Sequence, residues 1–354
     1  MPRRADVEPF AARLLRWFDA ARRDLPWRRT RDPWAIWVSE IMLQQTRVEA
    51  VKAPYERFLA RFPTPASFAV ASDDELLVAW RGLGYYRRAR LLRDGARAVV
   101  AAHGGAVPAD AAALAELPGV GAYTLGAVAS IAFGLREVAV DGNVERVVAR
   151  HRGVRELVDA APGRRAVRAQ AEAWLEAARP GDFNQAMMEL GATVCTPTSP
   201  RCDACPVAAD CVARAEGLAG ELPRKKPPRA PIDVAARVAL VVGPEGALGC
   251  RIAAGQPNAG QIELPGPGVL VSVDADGLAD VVRERFGARL LLGAVVATIK
   301  HAITCHRITL RAHAATAAGL GSLRWHPLRD DTPWTTPSRK VFRQALGDDG
   351  TLRA

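Results

Sequence analysis

Two carboxylates and a tyrosine stand out as groups that could do chemistry. Glu40 lies two turns inside a helix opened by Asp32-Pro33, an N-cap followed by proline at the first helical position. Three of its helical neighbours, Ile36, Trp37 and Leu43, are apolar, and the fourth is Gln44. A carboxyl desolvated among them would hold its proton near neutral pH and serve as a general acid. At the edge of the apolar stripe it would instead reach water. Asp141, in Val140-Asp141-Gly142-Asn143, precedes a helix over Val144–Arg150. It reads as an N-cap, a role Asn143 could also take, or as a carboxylate facing a sugar that turns cationic. Such a pair could divide the work at a glycosidic bond, one group protonating the leaving group and the other stabilising the oxocarbenium-like carbon.

Four cysteines form a second constellation. Cys195, Cys202, Cys205 and Cys211 are spaced C-x6-C-x2-C-x5-C within seventeen residues. Tetrathiolate zinc sites usually use two separated C-x2-C pairs, and here there is one. The spacing favours wrapping a compact iron–sulfur cubane, with zinc as the alternative. Arg201 and Arg214 would offset an anionic cluster. Cys250 and Cys305 stand apart and read as small apolar fillers.

A third feature is Leu117-Pro118-Gly119-Val120-Gly121, between helical stretches at Asp110–Glu116 and Tyr123–Phe133. Leu117, Gly119, Val120 and Gly121 would offer bare backbone amides, and the second helix its positive dipole end. Such a helix-hairpin-helix grips a nucleic-acid phosphate without reading sequence. A plain tight turn is the bland alternative.

These features must be positioned by a mostly helical chain. Up to about Gly217, apolar residues recur at three- and four-residue spacing, predicting roughly ten helices over residues 1–217. Residues 218–231, including GELPRKKPPRAP, read as an extended linker. From Ile232 to 354 the texture turns α+β with a mixed sheet. Val234–Val242 and Ile299–Ala312 read as strands, and Leu278–Phe286 as a helix.

The 354 residues carry a net charge of +10, suited to a polyanionic partner. Only five lysines occur, and only Lys52 precedes the linker. The first ten residues lack the apolar core of a signal peptide, and no long apolar run suggests a membrane span. The expectation is a soluble, monomeric, cytoplasmic protein, nucleoid-associated in a bacterial-type cell.

Six strings carry a resemblance: LPWR (Leu25–Arg28), WVSEIMLQQTRV (Trp37–Val48), GLGYYRRAR (Gly82–Arg90), LPGVGAYTLGAV (Leu117–Val128), VDGNVERV (Val140–Val147) and FNQAMMELGATVCT (Phe183–Thr196). With the cysteine spacing, they resemble the helix-hairpin-helix iron–sulfur DNA glycosylases, and within them the adenine DNA glycosylases of the MutY type.

The resemblance implies an all-α glycosylase domain with a [4Fe-4S] cluster loop, followed by an α+β Nudix-like domain. It implies excision of adenine mispaired with 8-oxoguanine or G in double-stranded DNA. Glu40 would protonate adenine N7, and Asp141 would stabilise the sugar cation or bond to it transiently. Tyr123 and Asn143 would complete the site. Trp27, Arg28 and Gln185 would line the adenine pocket, while Gln45 and Tyr85 would wedge into the base stack. Strand-cutting relatives carry lysine where Tyr123 stands, so the resemblance implies a monofunctional enzyme.

In the second domain the match thins to Ile262–Gly266 (IELPG). Val281–Gly287 keeps only Arg283-Glu284 of a nucleotide-hydrolysing box, so no such hydrolysis is expected. The lesion-reading Phe-Ser-His is replaced by Ile303-Thr304-Cys305, leaving Thr304 to donate the serine's hydrogen bond.

Overall fold

The computed structural model describes residues 8–256, 258–347 and 350–353. They pack into two compact units. One takes in the residues up to Val70 and Arg90–Pro227; the other takes in Ala71–Ala89 and Pro228 onward.

The first unit is helical. Pro33–Leu43 opens as its sequence requires: the Asp32 carboxylate accepts from the Trp34 amide at 2.9 Å, with proline at the first position. Every residue from Trp34 to Met42 is buried. A helix apolar all round belongs inside the core, so Glu40 has no wet face to turn towards. Ala122–Phe133 is built the same way, and Gly126 lets it lie directly on the chain at Val138. A Cβ there would stand 2.1 Å from the Val138 carbonyl oxygen. Gly142–Arg152 and Pro180–Thr193 send Val144, Val147, Phe183 and Leu190 into a shared core.

The stretch read as a linker is partly docked. Leu218–Gly220 forms a short 3-10 turn and Leu222 is buried. The Arg224 carbonyl accepts from the Val158 amide at 3.0 Å, and Lys225 reaches Glu145 at 3.1 Å. Polar main chain and one apolar side chain hold these residues despite the prolines.

The second unit carries two sheets. One has the order Ile232–Leu240, His306–Gly319, Arg289–Ile303, with the first pair parallel and the second antiparallel. The single strand expected over Ile299–Ala312 is really two strands turning at Thr304 and Cys305. No Gly, Asn or Asp marks that turn; Thr304 itself takes the left-handed backbone, φ +52°. Helices Gly277–Phe286 and Thr336–Ala345 complete the α+β unit.

Residues 71–89, which include the helix Asp73–Ala79, cluster with the C-terminal residues, and some of their polar groups find partners there. Arg251 forms a two-point pair with Asp74 (2.6 and 3.0 Å), and Arg81 donates to Asp330 at 3.1 Å. Among the described residues, no helix is long and apolar enough to cross a membrane.

Candidate active site

A cleft of about 740 Å³ in the helical unit is lined by Glu40, Tyr123, Asp141, Asn143, Trp27, Arg28, Gln45 and Gln185. The first string supplies Trp27 and Arg28, and Pro33–Leu43 supplies Glu40. Tyr123 stands at the second position of Ala122–Phe133, and Asp141 caps Gly142–Arg152. Tyr85 and Thr304 belong to the other unit.

Glu40 is 4% exposed. The Tyr123 hydroxyl donates a hydrogen bond to its Oε2 and also lies 3.4 Å from the Met188 sulfur. Burial raises the Glu40 pKa to about 7; Tyr123 works against that rise, and the charge of Asp141 adds to it. Burial, with Glu40 and Asp141 nearby, lifts the Tyr123 phenol well above its ordinary range, so it is a standing donor. Of the two placements expected for Glu40, the structure shows the desolvated one rather than an edge position reaching water.

The capping reading of Asp141 is the one the structure shows, and its side chain also lines the cleft. Its Oδ1 accepts from the Asn143 and Val144 amides at 2.9 and 2.8 Å, which is the cap. Its Oδ2 accepts from Asn143 Nδ2 at 2.7 Å. Asn143 is oriented by Arg146, which donates to Asn143 Oδ1 at 2.7 Å and to the Gly191 carbonyl at 2.9 Å. Gly191 is required here, because a Cβ would lie 2.5 Å from the Asn143 Cβ.

Sequence reasoning missed Glu189. It is 1% exposed and lines the cleft. Its carboxylate accepts from Arg23 twice at 2.8 Å and from Arg28 at 2.9 Å. Burial raises its pKa, but the two guanidiniums prevail and lower it to about 2. The signal was its spacing: Glu189 follows Gln185 by one helical turn and so shares its face.

The hairpin between Ala111–Glu116 and Ala122–Phe133 has the expected form, with Gly119 at φ +80° and packed on Leu91. Two of its four amides are spent internally. Leu117 donates to the Leu114 carbonyl and Val120 to the Leu117 carbonyl, at 3.2 and 3.1 Å. Gly121 caps the second helix, whose first-turn amides have no acceptor within the helix.

The four cysteines line one cavity together with Arg150, Arg201 and Arg214. Arg150 donates to the Cys195 sulfur at 3.4 Å, and Arg146 to the Cys195 carbonyl at 2.7 Å. None forms a disulfide. Among the described residues no three His, Cys, Asp or Glu side chains gather tightly enough for a single ion. Four sulfur donors ringing a cavity with cationic walls fit a polynuclear iron–sulfur group.

Residues 38–177 match the HhH-GPD superfamily of base excision DNA repair proteins. The chain is 49% identical over 223 residues to the human adenine DNA glycosylase, covering 59% of this chain and 40% of that one. It is 44% identical over 214 residues to the adenine DNA glycosylase of Mycolicibacterium smegmatis, covering 60% of this chain and 72% of that one. Among solved structures it is similar to a thermostable thymine-DNA glycosylase (TM-score 0.55, 32% identity, 58% of this chain and 95% of that one). It is also similar to endonuclease III in a trapped DNA covalent intermediate (TM-score 0.51, 26% identity, 59% of this chain and 95% of that one).

The fold and these matches define a helical base excision repair protein of the HhH-GPD type. Within that class, the chain belongs to the adenine DNA glycosylase family. It spans 40% of the length of its human relative and 42% of its rat relative.

Proposed function

We propose that this protein excises adenine mispaired with 8-oxoguanine, or with G, from double-stranded DNA. One observation carries the reading: the Glu40 carboxyl, buried so that its pKa rises to about 7, lines the same cleft as the helix-capping carboxylate of Asp141, and that cleft is large enough for a flipped nucleotide. Glu40 gives its proton to adenine N7. The bond from the sugar C1′ to N9 then breaks, with its electron pair leaving on the base. Asp141 flanks the cation, or bonds to it transiently, until water adds at C1′ and yields its proton to a carboxylate. Arg28, braced by Glu189, and Gln185 offer hydrogen bonds to the base edge, with Trp27 along its face.

Tyr123 occupies the place where strand-cutting relatives carry lysine, which supports a monofunctional reaction. Gln45 and Tyr85 serve as wedges, and Thr304 reads the lesion from a Nudix-like second unit. Gly119 and Gly121 hold a phosphate of the backbone. Cys195, Cys202, Cys205 and Cys211 would hold a [4Fe-4S] cluster, which when bound cross-links their loop through iron–thiolate bonds.

The test is a single-turnover assay on duplexes with A opposite 8-oxoguanine, G or T, with alkaline workup. Fast release opposite 8-oxoguanine, slower opposite G and none opposite T is expected. No adenine release from cluster-loaded protein would overturn the reading. Borohydride should trap no covalent complex.

A further inference from the structure

The second unit carries a cleft of about 570 Å³ that the proposed chemistry does not use. Among the described residues lining it, five are arginines, Arg81, Arg329, Arg339, Arg343 and Arg353, and one, Asp330, is acidic. The helix Thr336–Ala345 supplies two of them. Its sequence, TPSRKVFRQA, holds three cations and no acid. Val341 and Ala345 turn into the core, while Arg339 and Arg343, one turn apart, share a face on the cleft. Trp334 forms a fixed apolar wall. Its indole donates to the Pro327 carbonyl at 2.9 Å, and its ring meets Phe342 edge-on with the centres 4.9 Å apart.

These cations are poorly compensated. Asp330 receives Arg81 at 3.1 Å and Arg339 at 3.4 Å, but its carboxylate is 93% exposed, and such pairs contribute little. Arg329 and Arg343 have no side-chain hydrogen bond and no acidic partner among the described residues. Nε of Arg339 is buried without a partner there. Burial holds the Arg339 pKa below its ordinary range; the charges of Arg81 and Arg343 add to that, and Asp330 opposes it. A solvated basic face relieves such repulsion by splaying its side chains. Here the guanidiniums converge on one cleft, and an anion in it would remove the repulsion.

The donors select the anion. A guanidinium presents a planar fork of N–H groups that matches two oxygens of a phosphate. Several converging forks suit a chain of phosphates rather than one isolated ion. Such contacts hold a nucleic acid without reading its bases. The chain is basic overall, at +10, and the same unit carries Tyr85 and Thr304.

We propose that this cleft binds backbone phosphates of a DNA strand, as a second grip on the duplex besides the hairpin at Gly119. This rests on the DNA partner named under the proposed function.

The experiment uses the full-length, cluster-loaded protein and a duplex with a non-cleavable adenosine opposite 8-oxoguanine. Binding is followed by fluorescence anisotropy between about 50 and 200 mM salt. The variants are Arg329→Gln, Arg343→Gln and the charge-keeping Arg343→Lys, and thermal melting checks that each folds. In a second arm, inorganic pyrophosphate is titrated into each protein without DNA and followed by calorimetry.

Each glutamine variant should lower the slope of log affinity against log salt by about 1, the counterion release of one phosphate contact. Arg343→Lys should keep the slope, and a fully paired duplex should show the same changes as the mispaired one. Unchanged slopes in both glutamine variants would overturn the inference. A pyrophosphate signal that they abolish while the DNA slopes stay intact would overturn it too, because the cleft would then take a free polyphosphate. If the slopes fall as expected but the wild-type protein releases no adenine from a cleavable duplex, the excision reading fails and the phosphate site stands.

Discussion

The Tyr123 hydroxyl is bonded to Oε2 of Glu40 inside a helix that offers no exposed face. The bond leaves the other carboxyl oxygen to carry the proton, and burial keeps that proton on near neutral pH. Glu40 is raised from 4.5 to about 7. Excision should therefore fall as pH rises through about 7, because the acid form is lost. Asp141 contributes to that rise by its charge, so Asp141→Asn should move the midpoint to lower pH. Single-turnover rates over pH 5–9 for both proteins check this, and an unmoved midpoint would contradict the coupling.

The same shift has a consequence for stability. The folded state binds more protons than the unfolded state between 4.5 and about 7, so stability should decrease as pH rises through that window. Glu40→Gln should remove this dependence and be the more stable protein above pH 7. Urea unfolding at pH 5 and pH 8 measures it.

Glu189 presents the opposite case. Its carboxylate is buried yet ionised, held by Arg23 and Arg28. Glu189→Gln would leave the Arg28 guanidinium, only 12% exposed, without its counter-charge. A loss of about 3 kcal/mol is expected, as for other broken buried pairs. A change below about 0.5 kcal/mol in denaturant unfolding would show that Arg28 is braced elsewhere.

Gly191 permits the helix Pro180–Thr193 to touch Asn143. Gly191→Ala should push Asn143 away from Asp141 and lower the excision rate by more than it lowers substrate affinity. Comparing single-turnover rate with binding to a non-cleavable duplex separates the two. An equal loss in both would place the effect on packing instead.

Cys202→Ser should reduce iron content and the visible charge-transfer absorption, and expose the loop Cys195–Cys211 to protease. Intact absorption would assign the metal to other ligands.

Much of the helical unit was legible because its signals are local. Asp32-Pro33, the hairpin glycines and the cysteine spacing each fix a few neighbouring residues, and the structure shows the corresponding turn, cap and cavity. The burial of Glu40 was only half legible, since Trp34 to Met42 being covered all round depends on helices far along the chain. Glu189 looked like any helix carboxylate until Arg23 and Arg28 came beside it. Residues 71–89 read as part of the helical run, and nothing local announces Arg251 or Asp330 as their partners. The turn at Thr304 was hidden because a threonine does what glycine or asparagine usually does.

Gln45, Tyr85 and Thr304 share left-handed backbone, at φ +55°, +46° and +52°, although each carries a side chain. That geometry costs roughly 1–2 kcal/mol per residue and glycine would relieve it. Variants chosen only for resistance to heat should therefore accumulate glycine at these three positions and lose the side chains assigned to DNA. Thermal robustness and repair competence are set against each other there, and a screen for one would select against the other.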